Sequence, residues 1–413
     1  MKILVVGSGG REHAIAWRLS SEGADVRVAP GNGGTSPNVA VQTLDVAGLA
    51  DYASRERIDL TIVGPEAPLA AGLVDHFASR GLLAFGPTRE AARLEWSKAW
   101  TKDFLRRHDI PTGAAEVVSS EAAARRVIAR LGVPVVLKAD GLAGGKGVFV
   151  VTSIHEVDSA LEQLFQLGEA ASSVLVEEYL EGHELSVLAF TDGERVAIMP
   201  PARDYKRLLD DDRGPNTGGM GGYTWPTYAT STLLNDIHAR VLRSTLEGMQ
   251  SEGRPYRGVL YAGLMLTSTG PKVLEFNCRF GDPECQLILP LLESSLVEAC
   301  HAVVDAALEP EDVRWCDDRT FGVVLATRGY PEAPVSGDLI DGLDDLLPGV
   351  AAFHAGTRLD DSGRILTAGG RVLTVVGSSR EDVYAAAERI TFDGKQFRAD
   401  IGVEVQALMG AAR

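Results

Sequence analysis

The residues best suited to hold a metal ion lie on a predicted strand over residues 272–276 and in the residues directly after it. Side chains alternate across a β-strand, which places Glu275, Asn277 and Arg279 on one face. A carboxylate and an amide oxygen are hard ligands of the kind that Mg²⁺ takes, together with water and nucleotide phosphates. The alternative is a polar strand face that only hydrogen-bonds to neighbouring residues. That alternative could explain one such residue but explains three poorly. The pattern predicts a magnesium site.

Two lysines bracket a glycine-rich turn, Lys138 at the end of one predicted strand and Lys146 just before the next. Two cations on a mobile hairpin can close over a triphosphate, and we assign Gly144 and Gly145 to the same site. The turn is not a Walker A loop, because its glycines introduce a strand and not a helix. A surface hairpin with solvated lysines is the alternative. In such a hairpin each glycine would lose backbone entropy on folding, and no ligand contact would offset that loss.

An acidic bend from Glu177 to Glu184 joins the next two apolar strands. Carboxylates at a hinge between domains suit the amino group of adenine and the hydroxyls of ribose. Acidic bends are often only solvated turns. The prediction of an adenosine site therefore depends on the position of this bend directly after the lysine hairpin.

The chain opens with an apolar strand, a glycine loop and a helix, the usual frame for a phosphate held by backbone N–H groups. The loop carries Gly9, Gly10, Arg11 and Glu12, and a later strand ends at Glu66, where open sheets place their ligands. A dinucleotide fingerprint would need glycine at position 12 and an acidic residue after the second strand, and both are missing. A glycine turn that serves only packing stays open, although the arginine favours a phosphate ligand.

A second glycine-rich loop begins with Asp204 and runs through Asn216, Thr217 and Gly218. Such a loop can wrap closely around a small substrate with backbone donors. A disordered linker is the alternative, but linkers rarely have this composition. Near the end of the chain, Arg371 follows two glycines and is a candidate phosphate contact.

The bulk composition excludes several classes of function. A net charge of −17 argues against a nucleic-acid surface, which must neutralise many phosphates. No apolar stretch approaches the roughly 20 residues that a membrane span needs, and no signal peptide is evident. Four cysteines without metal or redox spacing indicate a reducing setting. We expect a soluble, cytoplasmic protein that binds neither nucleic acid nor membranes.

Apolar runs and turn signals divide the 413 residues into several α/β and α+β units. We predict an open parallel α/β domain over residues 1–97, because strands and helices alternate there. Residues 98–310 follow as the ATP-binding region, with a small flap over about 112–183 and a body over about 184–310. A small β-rich closing module is predicted over 318–413.

Taken in this order, the motifs resemble those of the phosphoribosylamine–glycine ligases, also called glycinamide ribonucleotide synthetases, and the resemblance covers nearly the whole chain. The most specific strings lie at residues 9–14, 64–69, 138–141, 214–221 and 275–284. The resemblance implies an ATP-grasp fold, preceded by the parallel domain and followed by the closing module. It implies the substrates ATP, glycine and 5-phosphoribosylamine, and a glycyl phosphate intermediate.

The resemblance also assigns roles to individual residues. Lys98, Lys138 and Lys146 would lie near the ATP phosphates, and Glu177 and Glu184 near adenosine. Glu275 and Asn277 would hold Mg²⁺, with Mn²⁺ as a possible substitute. The catalytic set would comprise Arg279, Asp204 and Asn216, the last two in the glycine and sugar-phosphate region. The substrate-binding set would comprise Gly9, Gly10, Arg11, Glu12, Glu66, Thr217, Gly218 and Arg371.

The sequence departs from the family pattern at a few positions. Tyr205 stands where histidine is common, Gly144 where alanine is usual, and residues 222–226 replace a shorter turn. Two other functions stay open at this point: another ATP-grasp ligase of carboxylates and amines, and a nucleotide-binding regulator without catalysis. We expect a monomer rather than an oligomer.

Overall fold

The computed structural model describes residues 1–141 and 147–405 of the chain. Its first sheet is parallel, with the strand order β2-β1-β3-β4. The strands are apolar because helices cover them. The two-residue strand β4 is too short to show in the sequence. The elements are β1 Lys2–Gly7, α1 Gly10–Ser21, β2 Asp25–Pro30, α2 Val46–Glu56, β3 Leu60–Val63, α3 Glu66–Ala70, α4 Leu73–Ser79, β4 Ala84–Phe85, α5 Arg93–Trp96 and α6 Lys98–Arg107.

The flap is a four-stranded antiparallel sheet with the order β5-β8-β6-β7. Its two helices pack on the sheet through a separate apolar core. The elements are β5 Ala115–Val118, α7 Glu121–Leu131, β6 Val135–Ala139, β7 Val148–Val151, α8 Val157–Phe165 and β8 Val174–Glu178. The predicted contacts of Lys146, Gly144 and Gly145 lie outside the described residues.

The rest of the chain contributes a nine-stranded sheet with the order β16-β15-β9-β11-β14-β17-β21-β18, and β10 pairs with β9. Two small hairpins, β12 with β13 and β19 with β20, project from it. The strands are β9 His183–Thr191, β10 Val196–Ile198, β11 Ala202–Asp204, β12 Arg207–Leu209, β13 Arg213–Asn216, β14 Gly221–Thr224, β15 Gly258–Thr267, β16 Gly270–Asn277, β17 Phe321–Ala326, β18 Ala351–His354, β19 Thr357–Leu359, β20 Ile365–Thr367 and β21 Arg371–Gly377.

Helices flank this large sheet. They are α9 Ser231–Ile237, α10 Ser244–Ser251, α11 Glu284–Ile288, α12 Leu296–Val304 and α13 Arg380–Arg389, and a π-helical turn over His238–Arg243 joins the first two. No helix within the described residues is long and apolar enough to cross a membrane.

The longer strands of the closing module extend the sheet of the body. Its strand β17 pairs with β14 of the body, so that one sheet runs through both parts of the chain. The parallel domain is joined as closely, because Leu4 of β1 and Leu185 of β9 belong to one apolar core. Shared cores fix the glycine loop and the closing module around the same cleft.

Candidate functional site

A cleft with a volume of about 820 Å³ lies between the flap and the body. It collects residues that are far apart in the chain. Of the predicted site residues described by the structure, these line it: Arg11, Glu66, Lys98, Lys138, Glu177, Glu184, Asp204, Asn216, Thr217, Gly218, Glu275, Asn277, Arg279 and Arg371. One cleft therefore brings together motifs from the parallel domain, the flap, the body and the closing module.

The proposed metal ligands lie at the end of β16, an edge strand of the large sheet. Enclosure in the cleft alone would raise the pKa of Glu275, but Lys206, Lys138 and Lys98 outweigh it and lower the pKa to about 2. An ionised carboxylate two residues from the Asn277 amide is a donor set of hard oxygens that fits Mg²⁺. No group of three His, Cys, Asp or Glu side chains suited to a metal occurs in residues 1–141 and 147–405. Nucleotide phosphates would therefore have to complete such a site.

Two lysines approach this edge from other elements. Lys98 begins α6, whose N-cap Ser97 accepts a hydrogen bond from a backbone N–H, and Lys138 is the penultimate residue of β6 in the flap. The Nζ of Lys138 donates to the Leu274 carbonyl oxygen at 3.0 Å. Burial lowers the pKa of Lys98, and Glu275 partly offsets this effect. Both cations can face a polyanion that spans the flap and the body.

The structure gives the two glutamates assigned to adenosine different surroundings. Glu177 is buried and forms ion pairs with Lys138 at 2.8 Å and with Lys102 at 3.0 Å. Its carboxylate thus fixes two lysines in place. Glu184 is more exposed, and its Oε2 lies 3.3 Å from the Nζ of Lys206.

Arg279 lies beyond the end of β16 and is held by acceptors on three sides. Its Nη2 lies 2.7 Å from Glu95 Oε1 and donates to Asn277 Oδ1 at 3.1 Å, and its Nε donates to Glu66 Oε2 at 3.3 Å. Burial would raise the pKa of Glu66, yet Arg279 and Arg11 lower it to about 2. The sequence predicts Arg279 and Asn277 on one face by strand alternation, but β16 ends at Asn277. The hydrogen bond between their side chains brings them together instead.

The second glycine-rich loop borders the same cleft. One carboxylate oxygen of Asp204, Oδ1, is buried and has no hydrogen-bond partner. Burial, followed by the nearby Glu284, raises the pKa of Asp204 well above its usual range. A buried acceptor without a donor is unfavourable unless a ligand supplies one. Asp204 is therefore suited to receive a donor from a substrate.

The first glycine loop is organised from within. Glu12 caps α1, and its Oε2 accepts a hydrogen bond from the Gly9 N–H at 2.6 Å, while its Oε1 accepts one from Arg11 at 2.5 Å. The Gly9 N–H, which the sequence predicts to face a phosphate, is therefore already bonded to the carboxylate of Glu12. Gly10 is buried as the first residue of α1, close to Gln286.

A smaller cavity of about 380 Å³ opens between this loop and the closing module. Ser8, Gly9 and Asn32 form one wall, and Thr357 and Arg371 belong to the other. The Nδ2 of Asn32 donates to the Ser8 carbonyl oxygen at 2.9 Å and to the His354 carbonyl oxygen at 2.7 Å. This amide joins the two walls.

Arg371 lies where the two cavities meet. Its Nη1 donates to the carbonyl oxygens of Gly218 at 2.5 Å and Asp282 at 2.8 Å, and its Nη2 lies 3.2 Å from Asp282 Oδ2. Enclosure would raise the pKa of Asp282, but Arg371 and then Arg11 lower it. Arg371 thus connects the closing module to the second glycine-rich loop.

Several cleft residues were absent from the predicted set. They are Glu95, Lys102, Lys206, Tyr261, Asp282 and Glu284. Lys102 could have been found from its spacing, because it lies one helical turn after Lys98 on α6. Lys206 lies in the loop that begins with Asp204, and Glu284 ends the string 275–284. The contacts of both residues depend on tertiary packing.

Three family models cover almost the whole chain. They describe the phosphoribosylglycinamide synthetase N domain over residues 1–95, its ATP-grasp (A) domain over 96–285 and its C domain over 320–404. The chain belongs to the phosphoribosylglycinamide synthetase family. This membership confirms the resemblance read from the motifs and the predicted fold, an ATP-grasp fold between a parallel α/β domain and a β-rich C-terminal part.

Individual members of this synthetase family match the chain closely. The phosphoribosylamine–glycine ligase of Ralstonia nicotianae is 46% identical over 420 residues, covering 97% of this chain and 99% of the relative. The crystal structure of the phosphoribosylamine–glycine ligase of Thermotoga maritima is 35% identical, with a TM-score of 0.83 over 97% of this chain and 100% of that one.

A more distant structure shares the fold alone. The biotin carboxylase of Campylobacter jejuni, solved with a β,γ-ATP ligand, is 14% identical with a TM-score of 0.72, over 96% of this chain and 92% of that one. The ATP-grasp architecture is thus preserved where little sequence identity remains.

Proposed function

We propose that this chain joins glycine to 5-phosphoribosylamine, giving glycinamide ribonucleotide while ATP is converted to ADP and phosphate. The supporting observation is that the family's motifs gather around one cleft in a chain that matches named ligases over 97% of its length. The family assignment confirms the predicted ATP-dependent carbon–nitrogen ligase, so that a regulator without catalysis is no longer a competing interpretation.

The reaction proceeds in two displacements. A carboxylate oxygen of glycine attacks the γ-phosphorus of ATP, the bond to the β,γ-bridging oxygen breaks, and ADP leaves with that electron pair. The amine nitrogen of phosphoribosylamine then attacks the carbonyl carbon of the glycyl phosphate. Phosphate leaves, and the amine proton passes to solvent. This chemistry depends mainly on positioning and on neutralising charge.

Cations in the cleft supply that neutralisation. Lys98 and Lys138 both lower the pKa of Glu275 by their charge and would face the phosphates of ATP. Arg279, held by Glu95 and Glu66, presents a fixed positive charge beside them. Preorganised charge of this kind stabilises a transferring phosphoryl group without reorganisation during the reaction.

ATP-grasp ligases use ATP with a divalent metal, and we assign the metal of this chain to Glu275 and Asn277. Bound there, Mg²⁺ or Mn²⁺ would neutralise phosphate charge. The ionised carboxylate and the neighbouring amide are the protein's contribution to such a site.

Asp204 is the residue best placed to recognise the ammonium group of glycine. Its buried Oδ1 lacks a donor, and Glu284, the second carboxylate nearby, is held by Ser186 at 3.0 Å and Tyr261 at 2.7 Å. An ammonium ion would supply the missing donor and offset the like charges of the two carboxylates. Asn216 and Thr217 would close the loop over this substrate.

The sugar phosphate of phosphoribosylamine fits the smaller cavity, next to the glycine loop. The guanidinium of Arg371 would bind it there, because it is a charged donor on the wall of this cavity. Glu12 would act by holding the loop and not by touching the phosphate.

The domain limits of 1–97, 98–310 and 318–413, a monomeric state and a cytoplasmic location belong to the same proposal. The matched N-domain segment ends at 95 and the matched C-domain segment begins at 320, each within a few residues of a proposed limit, whereas the matched ATP-grasp segment ends at 285. The negative net charge supports the proposal that the partners are small molecules and not nucleic acids.

Product analysis with a panel of amino acids and amines tests this function. We expect glycinamide ribonucleotide to form only with glycine, phosphoribosylamine and ATP together, detected by mass spectrometry with ¹³C-glycine. A product from a different amino acid, with none from glycine, would assign the chain to another ATP-grasp ligase activity.

A further inference from the structure

Arg398 is a buried charge in the C-terminal segment of the closing module. Its side chain is only 1% exposed. Its Nε donates to Asp400 Oδ1 at 2.7 Å and its Nη2 to Asp400 Oδ2 at 2.6 Å, a two-pronged pair. A buried guanidinium is tolerated only where it is fully paired, and the two-pronged geometry fixes its orientation.

The same guanidinium holds the small hairpin of β12 and β13, residues 207–216. The Nη1 of Arg398 donates to the Arg207 carbonyl oxygen at 3.1 Å and to Asp212 Oδ1 at 2.8 Å. Two backbone contacts reinforce this attachment. Asp210 accepts a hydrogen bond from the Ala399 N–H at 2.8 Å, and the Asp211 N–H donates to Asp400 at 3.0 Å. Segment 398–400 thus contacts both the first strand and the turn of the hairpin.

The base of this hairpin lies in the cleft. Lys206 directly precedes β12, and its Nζ lies 3.3 Å from Glu184 and 3.6 Å from Glu275. The backbone N–H of Thr217, directly after β13, donates to the Lys206 carbonyl oxygen at 2.7 Å. The position of the hairpin therefore sets the position of the lysine ammonium.

Tyr205 gives a second connection between the same two parts of the chain. The guanidinium carbon of Arg398 lies 4.7 Å from the centre of the Tyr205 ring. The hydroxyl of Tyr205 donates to Glu404 at 2.7 Å and accepts a hydrogen bond from the Gly402 N–H at 3.2 Å. A tyrosine at the usual histidine position thus places its ring against the arginine and its hydroxyl against the C-terminal segment.

We propose that Arg398 is a positioning residue for the phosphoryl-transfer site, acting from the closing module through hairpin 207–216 on Lys206. It touches no substrate. The proposal rests on the proposed function for its kinetic readout, because Lys206 serves phosphate chemistry only if the chain is a ligase. Its contacts form two steps. Arg398 holds the hairpin 207–216, and the hairpin holds Lys206 in the cleft.

A double-mutant cycle tests the coupling. Arg398→Met is expected to lower kcat about tenfold or more with little change in the KM for ATP, as small displacements of catalytic groups do. In a Lys206→Met background the same substitution should have no further effect, because the residue it positions is gone. Independent, multiplying effects in the cycle would overturn the proposal.

Matched variants separate positioning from general stability. Arg364→Met removes an exposed arginine of the same module, paired with Asp360 at 2.8 Å, and is expected to leave kcat unchanged. Arg398→Lys should restore part of the rate, since it keeps the charge but not the two-pronged geometry. If Arg398→Met does not fold, Asp212→Asn takes its place in the cycle, because it changes only the exposed partner of Arg398 on the hairpin.

Trypsin accessibility gives a readout independent of the proposed function. Arg213, in the hairpin, is exposed, and cleavage after it should be several-fold faster in Arg398→Met than in Arg364→Met. Equal cleavage rates would overturn the proposal even if the ligase activity is confirmed. If wild-type protein shows no glycine-dependent turnover, the proposed function fails, and the cleavage rates still decide whether Arg398 holds the hairpin.

Discussion

The Nζ of Lys206 lies 3.6 Å from the Oε1 of Glu275, so that a lysine of the second glycine-rich loop faces the proposed metal ligand. Glu184, the nearest contributor, raises the pKa of Lys206 well above its usual range, and Glu275 adds to this effect. The two carboxylates therefore favour the charged form of Lys206. The cleft holds this cation opposite the carboxylates of the nucleotide site.

Replacing Lys206 by Met should lower kcat about a hundredfold, because a fixed charge near the transferring phosphoryl group is lost. Lys206 is also the strongest of the cations that lower the pKa of Glu275, so the substitution removes the main counter-charge of the proposed metal ligand. Steady-state kinetics at pH 7 would show the loss in kcat. A kcat close to that of the wild type would remove Lys206 from the site.

The substitution Glu275→Ala should nearly abolish turnover while the fold remains intact, because it removes charge stabilisation by the metal. We expect a loss of at least a hundredfold in kcat and weaker Mn²⁺ binding by electron paramagnetic resonance. Glu247→Ala, which removes an exposed helix carboxylate paired with Arg243, is the control. Full activity at ordinary Mg²⁺ would exclude Glu275 from the site.

Asp204→Asn should stabilise the protein while weakening glycine binding. The folded-state pKa of Asp204 is raised, so the unfolded chain ionises first as pH rises, and Asp204 lowers the free energy of unfolding above the unfolded pKa near 3.8. The asparagine variant should melt at a higher temperature at pH 7, and this gain should vanish towards pH 4.

Glycine kinetics complete the test of Asp204. The KM for glycine should rise at least tenfold in Asp204→Asn, with little change in the KM for ATP, because a charged acceptor for the ammonium is lost. A lower melting temperature at pH 7, or an unchanged KM for glycine, would contradict the role assigned to Asp204.

Arg371→Met should weaken binding of glycinamide ribonucleotide about ten- to a hundredfold, because a charged donor to the sugar phosphate is removed. Isothermal titration calorimetry with the stable product avoids the unstable amine substrate. Arg328→Met, which removes an exposed arginine of the same module paired with Asp393, is the control. Equal affinities of the two variants would place the phosphate elsewhere.

Local patterns predicted the elements that carry the site. The lysine near the end of β6, the acidic bend and the polar residues of β16 all follow from periodicity and glycine clusters within short segments. The capping of α1 by Glu12 could also be read locally, since a carboxylate at the third helical position caps its own loop. The same motif also predicts a phosphate loop, and that prediction remains part of the proposed function.

Long-range packing accounts for what the sequence did not show. Glu95 reaches Arg279 from α5, and β17 joins the closing module to the body sheet, although neither pairing has a local signal. The ion pair of Glu177 with Lys138 likewise depends on adjacent strands of the flap. Strand partners and cross-chain ion pairs are set by tertiary register, which a pattern within one segment does not encode.

Oxygen transfer from glycine to phosphate tests the central claim most directly. With glycine labelled by ¹⁸O in both carboxylate oxygens, attack on the γ-phosphorus leaves one labelled oxygen in the phosphate released when the amine displaces it. Mass spectrometry of the phosphate should show one ¹⁸O per turnover, dependent on ATP and phosphoribosylamine. Released phosphate without label would contradict a glycyl phosphate formed in this cleft.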